Sequence, residues 1–553
     1  MVIASQCAPS FSTSFCCHHR TESYTRFLRF PPLRLHTPFS TRRLTLSSRL
    51  NASSSSSTPS NGYDFDGQDT PYELQHGVLT SPPRRRGSSV YVSLPLDSID
   101  LSSGEMKRKK IMFHSFRALA TAGVEGVVME VWWGLVERDS PGDYDWRGYF
   151  QILTLARSCK LKVRAVLAFH QCGRGPDDTF WIPLPQWVLE EMEKDQGLAY
   201  SDKYGRRNKE YISLGCDNLP VLCGRSPIQA YADFMRNFRD TFRQFLGGVI
   251  TGIQVGMGPA GELRYPSLPS RSLAWVSGSH ELGEFQCYDK YMLASLNACA
   301  RKMGMPQWGY GGPTGASTTT NDPERAEFFR SDGSWNTPYG QFFLEWYSGL
   351  LILHGENICR QAESIFRGTD VAVSGKVAGV YWHYGTVSHP SELTAGYYNT
   401  IMRNGYLPIA RMFGRYGFTM CCTCFEMKDE EEWKLHRFSS PEGFLRQLIL
   451  TARICDVPLE GENSGSHLDE KSFEQVLKMS RLCSSDGLER SSFSFNFNRL
   501  DKDLFGSHNF SNFTSFVKQI SNLNAFRGKL GFGGDDVSQS WPFSAASSGA
   551  ALS

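Results

Sequence analysis

The chain is predicted to fold as a (β/α)8 barrel, and three features of its sequence support that fold class. Eight short runs rich in apolar and β-branched residues, from VYVSLPLD at 90–97 to FSFNFNRL at 493–500, have the character of buried strands. Amphipathic stretches, with apolar residues recurring at every third and fourth position, separate most of these runs. The first run lacks the glycine fingerprint that a doubly wound open sheet carries after its first strand. Eight parallel strands with intervening helices close into a barrel.

The eight predicted strands follow one another at unequal intervals. They lie in 90–97, 124–133, 162–171, 247–258, 376–384, 417–427, 457–463 and 493–500, and helices are predicted over 107–122, 147–158, 231–246 and 441–456. About eighty residues separate the third strand from the fourth, and more than one hundred separate the fourth from the fifth. Long excursions on the catalytic face of a barrel are usually functional. We therefore expect these loops to form a lobe over the C-terminal face of the strands.

Composition and charge exclude two classes of partner. The chain has 553 residues, is 40% hydrophobic and carries a formal net charge of +2. Its basic residues are not gathered on one predicted element outside the N-terminal arm, so nucleic acid is not expected as a partner. No apolar run approaches the ~18 residues that a membrane-spanning helix needs, so no membrane is expected either. Of the fifteen cysteines, Cys421 and Cys424 form a C-x-x-C spacing, interpreted as buried strand residues, with a redox role left open.

The termini differ from the rest of the chain. Residues 1–80 are rich in Arg, Ser, Thr and Pro, and Glu22 is the only acidic residue before Asp64. That composition is typical of an organelle transit peptide followed by a flexible linker, and it offers no core for a DNA-binding domain. We predict import into the chloroplast stroma, a barrel domain over 85–526 and a disordered Gly/Ser-rich tail over 527–553.

Polar side chains stand at the C-terminal ends of the predicted strands, where barrel enzymes keep their chemistry. Glu262 lies in GPAGELRYPS, a glycine- and proline-bounded loop after the fourth strand. A single Glu in such a loop is most often solvated, but seven polar residues at equivalent places indicate a site. They are Glu130, His170, Glu262, Tyr381, Thr423, Glu462 and Arg499. No phosphate cradle, Ser-His-Asp order or metal-ligand cluster accompanies them, and a pair of acids with aromatic neighbours suits glycoside hydrolysis.

Several longer motifs resemble one known family. They are HQCG at 170–173, IPLPQWV at 182–188, GPAGELRYPS at 258–267, GEFQCYDKYM at 283–292, ELTAGYYN at 392–399 and GEN at 461–463. These words are similar to those of the plant β-amylases, which release maltose from the non-reducing ends of α-1,4-glucans. The resemblance runs from about Val90 to Arg499. It implies a barrel enzyme that inverts anomeric configuration without a cofactor or metal.

The resemblance also implies residue roles. Glu262 matches the family's general acid and Glu462 its general base, which in inverting enzymes stand roughly 6.5 to 9.5 Å apart. The expected substrate-binding residues are Glu130, His170, Asp178, Lys376, Tyr381, Thr423, Asn463, Ser464 and Arg499.

The chain departs from the family pattern at four places around this site. Glu130 stands where the family has Asp, and RGPDD at 174–178 replaces the GNVGD of a mobile loop. Tyr381 replaces a His, and Ser464-Gly465 replaces Ala-Leu after GEN. The extra methylene of Glu130 moves its carboxylate by about 1 Å, and a displacement of that size can cost ~100-fold in rate. Pro176 fixes φ and removes an amide donor, so we expect it to hamper closure of the 174–178 loop. The chain thus resembles plastid members described as inactive: we expect either a weakened β-amylase or a non-catalytic glucan-binding regulator that contacts another starch-degrading enzyme.

Overall fold

The computed structural model describes residues 87–173, 175–267, 282–316, 322–465, 468–483 and 493–522. The predicted transit peptide and linker at 1–80 and the predicted tail at 527–553 lie outside these ranges. The chain divides into a unit of Met1–Pro83 and a unit of Arg84–Ser553, and all the described residues belong to the second.

Eight parallel strands close into the predicted barrel. The barrel strands are β1 (Ser89–Ser93), β2 (Gly126–Trp132), β3 (Lys162–Ala168), β6 (Ile250–Val255), β7 (Ala372–Lys376), β8 (Phe418–Cys422), β9 (Leu459–Glu462) and β10 (Ser494–Phe497). They follow one another around the barrel in chain order, and β10 pairs with β1 to close it, Val90 lying opposite Phe495. The two remaining strands, β4 (Ala199–Ser201) and β5 (Arg207–Ile212), form a separate antiparallel hairpin.

Helices surround the strands. Their bounds are α1 (Lys109–Ala122), α2 (Trp133–Val136), α3 (Arg147–Ser158), α4 (Gln186–Lys194), α5 (Pro227–Thr241), α6 (Lys290–Lys302), α7 (Pro338–Phe366), α8 (Pro390–Ala395), α9 (Leu407–Arg415), α10 (Asp429–Leu435), α11 (Pro441–Ile454), α12 (Glu470–Leu482) and α13 (Ser507–Ile520). All four helices predicted from periodicity are present. Among the described residues, no helix combines the length and apolar character needed to cross a membrane.

Local sequence accounts for where these elements start and stop. The helix α5 begins in a capping box, in which Ser226 and Gln229 each bond the other's backbone, with Pro227 in the first turn. The helix α1 stops at Gly123, whose φ of 90° lets its N–H reach the carbonyls of Leu119 and Ala120. Buried side chains such as Phe234 and Phe238 on α5 join one large apolar core that includes the barrel strands.

The fifth barrel strand lies earlier than predicted. The sequence pattern indicates a strand over 376–384, but β7 ends at Lys376, so this lysine closes the strand rather than opening it. The apolar residues Val377 and Val380 are fully buried without belonging to the ladder. Their hydrophobicity reflects packing at the barrel mouth, which periodicity alone does not distinguish from a strand.

The two longest connections leave the C-terminal ends of β3 and β6, as predicted. The first carries α4, the hairpin β4–β5 and α5; the second carries α6 and the 29-residue α7. The hairpin reaches the loop of the other connection, because Glu210 Oε1 accepts a hydrogen bond of 2.9 Å from the backbone N–H of Ala260.

Candidate active site

The loop that carries Glu262 leaves β6 and folds back onto the barrel. Residues Pro259–Gly261 form a single 3-10 turn in which Ala260 has φ 54° and Gly261 has φ 75°. A Cβ atom on Gly258 would collide with the backbone oxygen of Glu262, so only glycine fits there. Glu262 then pairs with Lys376 in a parallel bridge, and the Leu263 N–H donates to the Lys376 carbonyl at 2.9 Å. The loop thereby pairs with the last residue of β7, which sets Glu262 at the C-terminal end of the strands.

The carboxylate of Glu262 faces two cations. Its side chain is buried, with 2% of the residue exposed. Arg264 Nε donates to Glu262 Oε2 at 2.8 Å, and Lys376 Nζ lies 3.9 Å from Glu262 Oε1. Because the guanidinium engages Oε2, the other oxygen, Oε1, is the one turned toward Lys376.

Glu462 ends β9 and accepts hydrogen bonds from three side chains. Lys376 Nζ donates to Oε2 at 2.7 Å, and the amides of Asn496 and Asn498 donate to Oε1 and Oε2, each at 3.3 Å. Burial by itself would raise the pKa of Glu462, but the charge and hydrogen bond of Lys376 outweigh it and lower the pKa below its ordinary value. This carboxylate is therefore ionised, as a base must be.

Lys376 lies between the two carboxylates and limits how far apart they can be. Its Nζ is 3.9 Å from Glu262 Oε1 and 2.7 Å from Glu462 Oε2, so these two oxygens are separated by no more than the two contacts laid end to end. The spacing of roughly 6.5 to 9.5 Å in inverting glycosidases is that between the carboxyl groups, and a separation within that range stays a prediction. Burial would lower the pKa of Lys376, but the charges of Glu462 and Glu262 raise it, so its cation holds the pair together.

Two buried polar atoms near the loop that carries Glu262 lack a hydrogen-bond partner among the described residues. They are His170 Nδ1 and Trp132 Nε1, whose rings meet edge to face with centroids 5.2 Å apart. His170 lies next to Gly261, where a Cβ atom would come within 3.4 Å of its Cε1. Burial, together with the charges of Arg264 and Lys376, lowers the pKa of His170 to about 3. The imidazole is therefore neutral and can accept or donate one hydrogen bond at each nitrogen.

Glu130 and Arg499 form an ion pair at the ends of β2 and β10. Arg499 Nη2 donates to Glu130 Oε1 at 3.0 Å, and its other terminal nitrogen donates to the Leu94 carbonyl. The structure thus brings together two predicted site residues that lie 369 positions apart in the chain.

The loops after β8 and β9 are tied to each other. Thr423 Oγ1 lies 2.9 Å from Ser464 Oγ, a contact that an alanine at 464 could not make. Glu426 Oε1 accepts hydrogen bonds of 2.7 Å from the N–H groups of both Ser464 and Gly465. Burial raises the pKa of Glu426 to about 7 despite these bonds. The amide of Asn463 bonds backbone groups: it donates to the carbonyl of Gly465 at 2.6 Å and accepts from the Asn498 N–H at 2.7 Å.

Tyr381 and Asp178 are the two remaining predicted site residues. Tyr381 is buried against Trp382, with ring centroids 4.7 Å apart, and lies five positions beyond the end of β7. Asp178 is exposed on the loop after β3, and its N–H donates to the Gly175 carbonyl at 3.0 Å. A role of either residue in sugar binding stays a prediction.

Several residues of the site were not predicted. They are Arg264, Asn496 and Asn498, which hold the two carboxylates, and Glu210 and Glu426, which hold the neighbouring loops. A signal for the two asparagines does exist: in FSFNFN, phenylalanine alternates with Ser494, Asn496 and Asn498, which places one polar set on one face of the strand.

The described residues contain no cluster of three or more His, Cys, Asp or Glu that could hold a metal ion. Cys421 and Cys424 are both buried, as predicted, but only Cys421 lies in a strand, since β8 ends at Cys422 and Cys424 has φ 76°. Burial raises the pKa of both thiols. Neither thiol therefore has the thiolate character that redox reactivity requires.

A closed (β/α)8 barrel with two buried carboxylates facing one lysine defines the class of barrel glycoside hydrolases. Residues 91–525 match the profile of glycosyl hydrolase family 14, so the chain belongs to that family. It is 50% identical to beta-amylase 1, chloroplastic, of Arabidopsis thaliana over 438 residues, covering 78% of this chain and 76% of the relative. Beta-amylase 1, chloroplastic, of Oryza sativa subsp. japonica is 49% identical over 440 residues, covering 79% and 81%.

A solved structure agrees on the fold. The catalytic domain of a beta-amylase from Paenibacillus polymyxa superposes with a TM-score of 0.63 at 23% identity, covering 79% of this chain and 99% of that domain. The predicted membership of the β-amylase family and the predicted barrel are both confirmed.

Proposed function

We propose that this protein binds α-1,4-glucan at the C-terminal end of its barrel and hydrolyses it from the non-reducing end to maltose, with inversion. The observation that carries the proposal is the arrangement of Glu262 and Glu462 on either side of Lys376 Nζ. Relatives named beta-amylase, at 50% and 49% identity, support the choice of substrate.

In the proposed reaction the two carboxyl groups have different tasks. Glu262, in its protonated form, gives its proton to the glycosidic oxygen as the bond from that oxygen to the anomeric carbon breaks. Glu462 removes a proton from a water molecule, whose oxygen attacks the same carbon from the opposite face. One water is consumed, one maltose with inverted configuration leaves, and the exchanged protons restore both carboxyl groups.

The unpartnered polar atoms support binding of a hydroxylated ligand. Burying a polar atom without a hydrogen bond costs stability, about 1–3 kcal/mol on mutational scales, so such atoms usually serve a ligand or water. His170 Nδ1 and Trp132 Nε1 are two such unpartnered atoms, on rings that contact each other beside the Gly261 end of the Glu262 loop. A neutral imidazole and an indole N–H together suit the hydroxyl groups of a sugar.

Weakened turnover is part of the proposal. Glu130 carries one more methylene than the Asp of the family pattern and is held by Arg499, while Thr423 is engaged by Ser464. These contacts favour a second candidate, a non-catalytic regulator that uses the same pocket to bind maltooligosaccharide and contacts another starch-degrading enzyme. Both candidates place the glucan in one pocket, and they differ in turnover.

Maltose release from soluble starch separates the two candidates. The wild-type protein is compared with Glu262→Gln, which keeps the shape of the acid and removes its proton, and calorimetry with maltotetraose measures binding by both. Release by the wild type about 100-fold or more above that of the variant, in line with general acid catalysis, supports the enzyme. Equal, slow release with retained binding supports the regulator, and absence of both release and binding contradicts the proposal.

The altered residues themselves provide the next test. Glu130→Asp, combined with replacement of 174–178 by GNVGD, is expected to raise maltose release about tenfold or more, because a shift of about 1 Å at a substrate-holding carboxylate can change the rate ~100-fold. Lys434→Met on the exposed surface of α10 serves as a matched control. No gain in release from the combined variant contradicts this account of the departures.

The proposed location is the chloroplast stroma, supported by the composition of residues 1–80 and by the chloroplastic names of the relatives. A fluorescent protein fused after residue 90 tests it: accumulation in the chloroplast stroma is expected, and retention in the cytosol contradicts the proposal.

A further inference from the structure

A charged side chain lies across the interior of the barrel, one layer below the carboxylate pair. Arg164, the third residue of β3, donates from Nη1 to Asn496 Oδ1 at 2.8 Å and from Nη2 to Ser494 Oγ at 2.7 Å. It also lies 3.4 Å from Glu460 Oε1, and its guanidinium carbon stacks 3.9 Å above the ring of Tyr91. The guanidinium is therefore held by residues of three strands, β1, β9 and β10.

The barrel is shaped to admit this side chain. Gly252 on β6 is the register partner of Arg164, and a Cβ atom there would come within 3.1 Å of Arg164 Cγ. Only 15% of the Arg164 side chain is exposed, so its charge depends on the partners inside the barrel.

Asn496 connects this guanidinium to Glu462. Its side chain is 1% exposed and lies between the two, with Nδ2 3.3 Å from Glu462 Oε1. A side-chain amide has one accepting and one donating end of nearly the same shape. A guanidinium only donates and a carboxylate only accepts, so a single orientation of the amide satisfies both neighbours: Oδ1 toward Arg164 and Nδ2 toward Glu462.

We propose that Arg164 is a positioning residue for Glu462, acting from beneath the site by fixing the orientation of the Asn496 amide. The inference rests on the proposed function in that Glu462 is taken as the base. With the amide so fixed, one oxygen of Glu462 is held by Asn496 and the other by Lys376 and Asn498. The plane of the carboxylate is thereby set relative to a water on the substrate side.

The groups that face Glu462 come from four elements. Lys376 reaches it from β7, Cys421 from β8, Asn496 from β10 and Asn498 from just after β10, while Glu262 faces the same lysine from the loop after β6. On β9 itself, Glu460 lies two residues before Glu462. Two strands at Glu462 also touch Arg164: β10 through Ser494 and Asn496, and β9, which carries Glu462 itself, through Glu460. A change at the Asn496 amide tests the route through β10 directly and leaves Glu460 in place.

Asn496→Asp is the primary test, because it keeps the shape of the side chain and leaves Arg164 a partner. The new carboxylate presents an acceptor to Glu462 in place of a donor, which disfavours the ionised base. Because the pKa of Glu462 rises, the acidic limb of the pH profile of kcat is expected to move to higher pH by about one unit. At a fixed pH on that limb, kcat then falls about tenfold. An unchanged limb overturns the proposal.

Arg164 is tested by a pair of variants. Arg164→Met removes the donor and is expected to move the limb in the same direction, whereas Arg164→Lys retains a donor for Asn496 and is expected to restore it. Arg164→Met also leaves Glu460 without its cation and can fail to fold, in which case Asn496→Asp decides. Ser494→Ala is the matched control, since it removes another partner of Arg164 without touching Asn496, and a shift equal to that of Asn496→Asp overturns the proposal.

A second readout does not need turnover. If the wild type releases no more maltose than Glu262→Gln, the enzymatic function fails, and the connection is read instead from unfolding midpoints between pH 3 and 7. The midpoint difference between each protein and its Glu462→Gln counterpart reports the titration of Glu462 alone. Asn496→Asp is expected to move that titration to higher pH, and superimposable differences overturn the proposal.

Discussion

The two carboxylates reach the same lysine by different routes. Glu462 is the last residue of β9 and lies in ladder register with Asn496 of β10, so the regular geometry of the barrel places it. Glu262 comes seven positions after the end of β6, through a turn with two left-handed residues, and returns to pair with Lys376. The position of Glu462, the proposed base, therefore depends on strand register, whereas that of Glu262, the proposed acid, depends on the conformation of one loop.

Their surroundings differ in the same way. Glu262 is held by Arg264, two positions away in its own loop, while Glu462 is held by the amides of Asn496 in β10 and of Asn498 just after it. A change in the loop is expected to move Glu262 alone, and a change in the barrel interior is expected to move Glu462. Lys376 contacts both carboxylates.

Removing Lys376 is expected to have the largest effect on maltose release, because this side chain contacts both Glu262 and Glu462. In Lys376→Met two carboxylates face each other without a cation, and the pKa of Glu462, now lowered by that cation, rises. A base with a raised pKa must be titrated at higher pH, so the acidic limb of kcat shifts upward. We expect a loss of about 100-fold in maltose release near pH 5, measured by reducing-sugar assay. A loss that is uniform across pH would contradict this electrostatic role.

A pair of glycine variants separates the two regions. In Gly258→Ala the new Cβ meets backbone atoms of Glu262 and Arg264, which cannot yield without moving the loop. In Gly461→Ala the three atoms nearest to the new Cβ are ring atoms of Phe493 and Phe425, 2.7 to 2.8 Å away, which can shift. We expect Gly258→Ala to lower kcat about 10- to 100-fold, and Gly461→Ala mainly to lower stability by about 1–3 kcal/mol.

Kinetics and melting temperatures measured on both glycine variants check this contrast. Equal losses of kcat at equal stability would mean that the acid loop is no more sensitive than the strand that carries the base.

The smallest effect on activity is expected for Glu426, which holds the loop that follows Glu462. Burial raises its pKa to about 7, above the ordinary value of 4.5, so the folded state retains a proton that the unfolded chain has lost. Its contribution to stability is complete below about pH 4.5 and declines as the pH rises toward 7. Glu426→Gln is expected to flatten that decline, which amounts to about 1–3 kcal/mol. Denaturant unfolding at pH 4.5 and 7.5 measures it, and an equal slope in both proteins would contradict the assignment.

The sequence was sufficient for the barrel and for its two main carboxylates, because strand-end positions in a closed barrel converge whatever the loops do. It misplaced the fifth strand, since the buried run after Lys376 is more apolar than AVSGK, which forms the ladder. A strand in this barrel is defined by its backbone partners on either side, and those partners lie far away in the chain.

Side-chain pairing across the barrel was beyond sequence reasoning. Arg164 lies in a run that was interpreted as a buried strand, and its partners at 460, 494 and 496 come from the opposite end of the chain. Likewise the contact between Thr423 and Ser464 depends on the closeness of two loops that periodicity does not describe. Such pairs become visible only when register and strand order are known.

The hydrogen bond from Ala260 to Glu210 links two insertions that are separate in the sequence. Glu210 belongs to the hairpin β4–β5, and Ala260 is two residues before the acid. A ligand that displaces the hairpin therefore pulls on the backbone of the acid loop without touching it. The backbone position of the Glu262 loop is thus coupled to that of the hairpin through a single hydrogen bond.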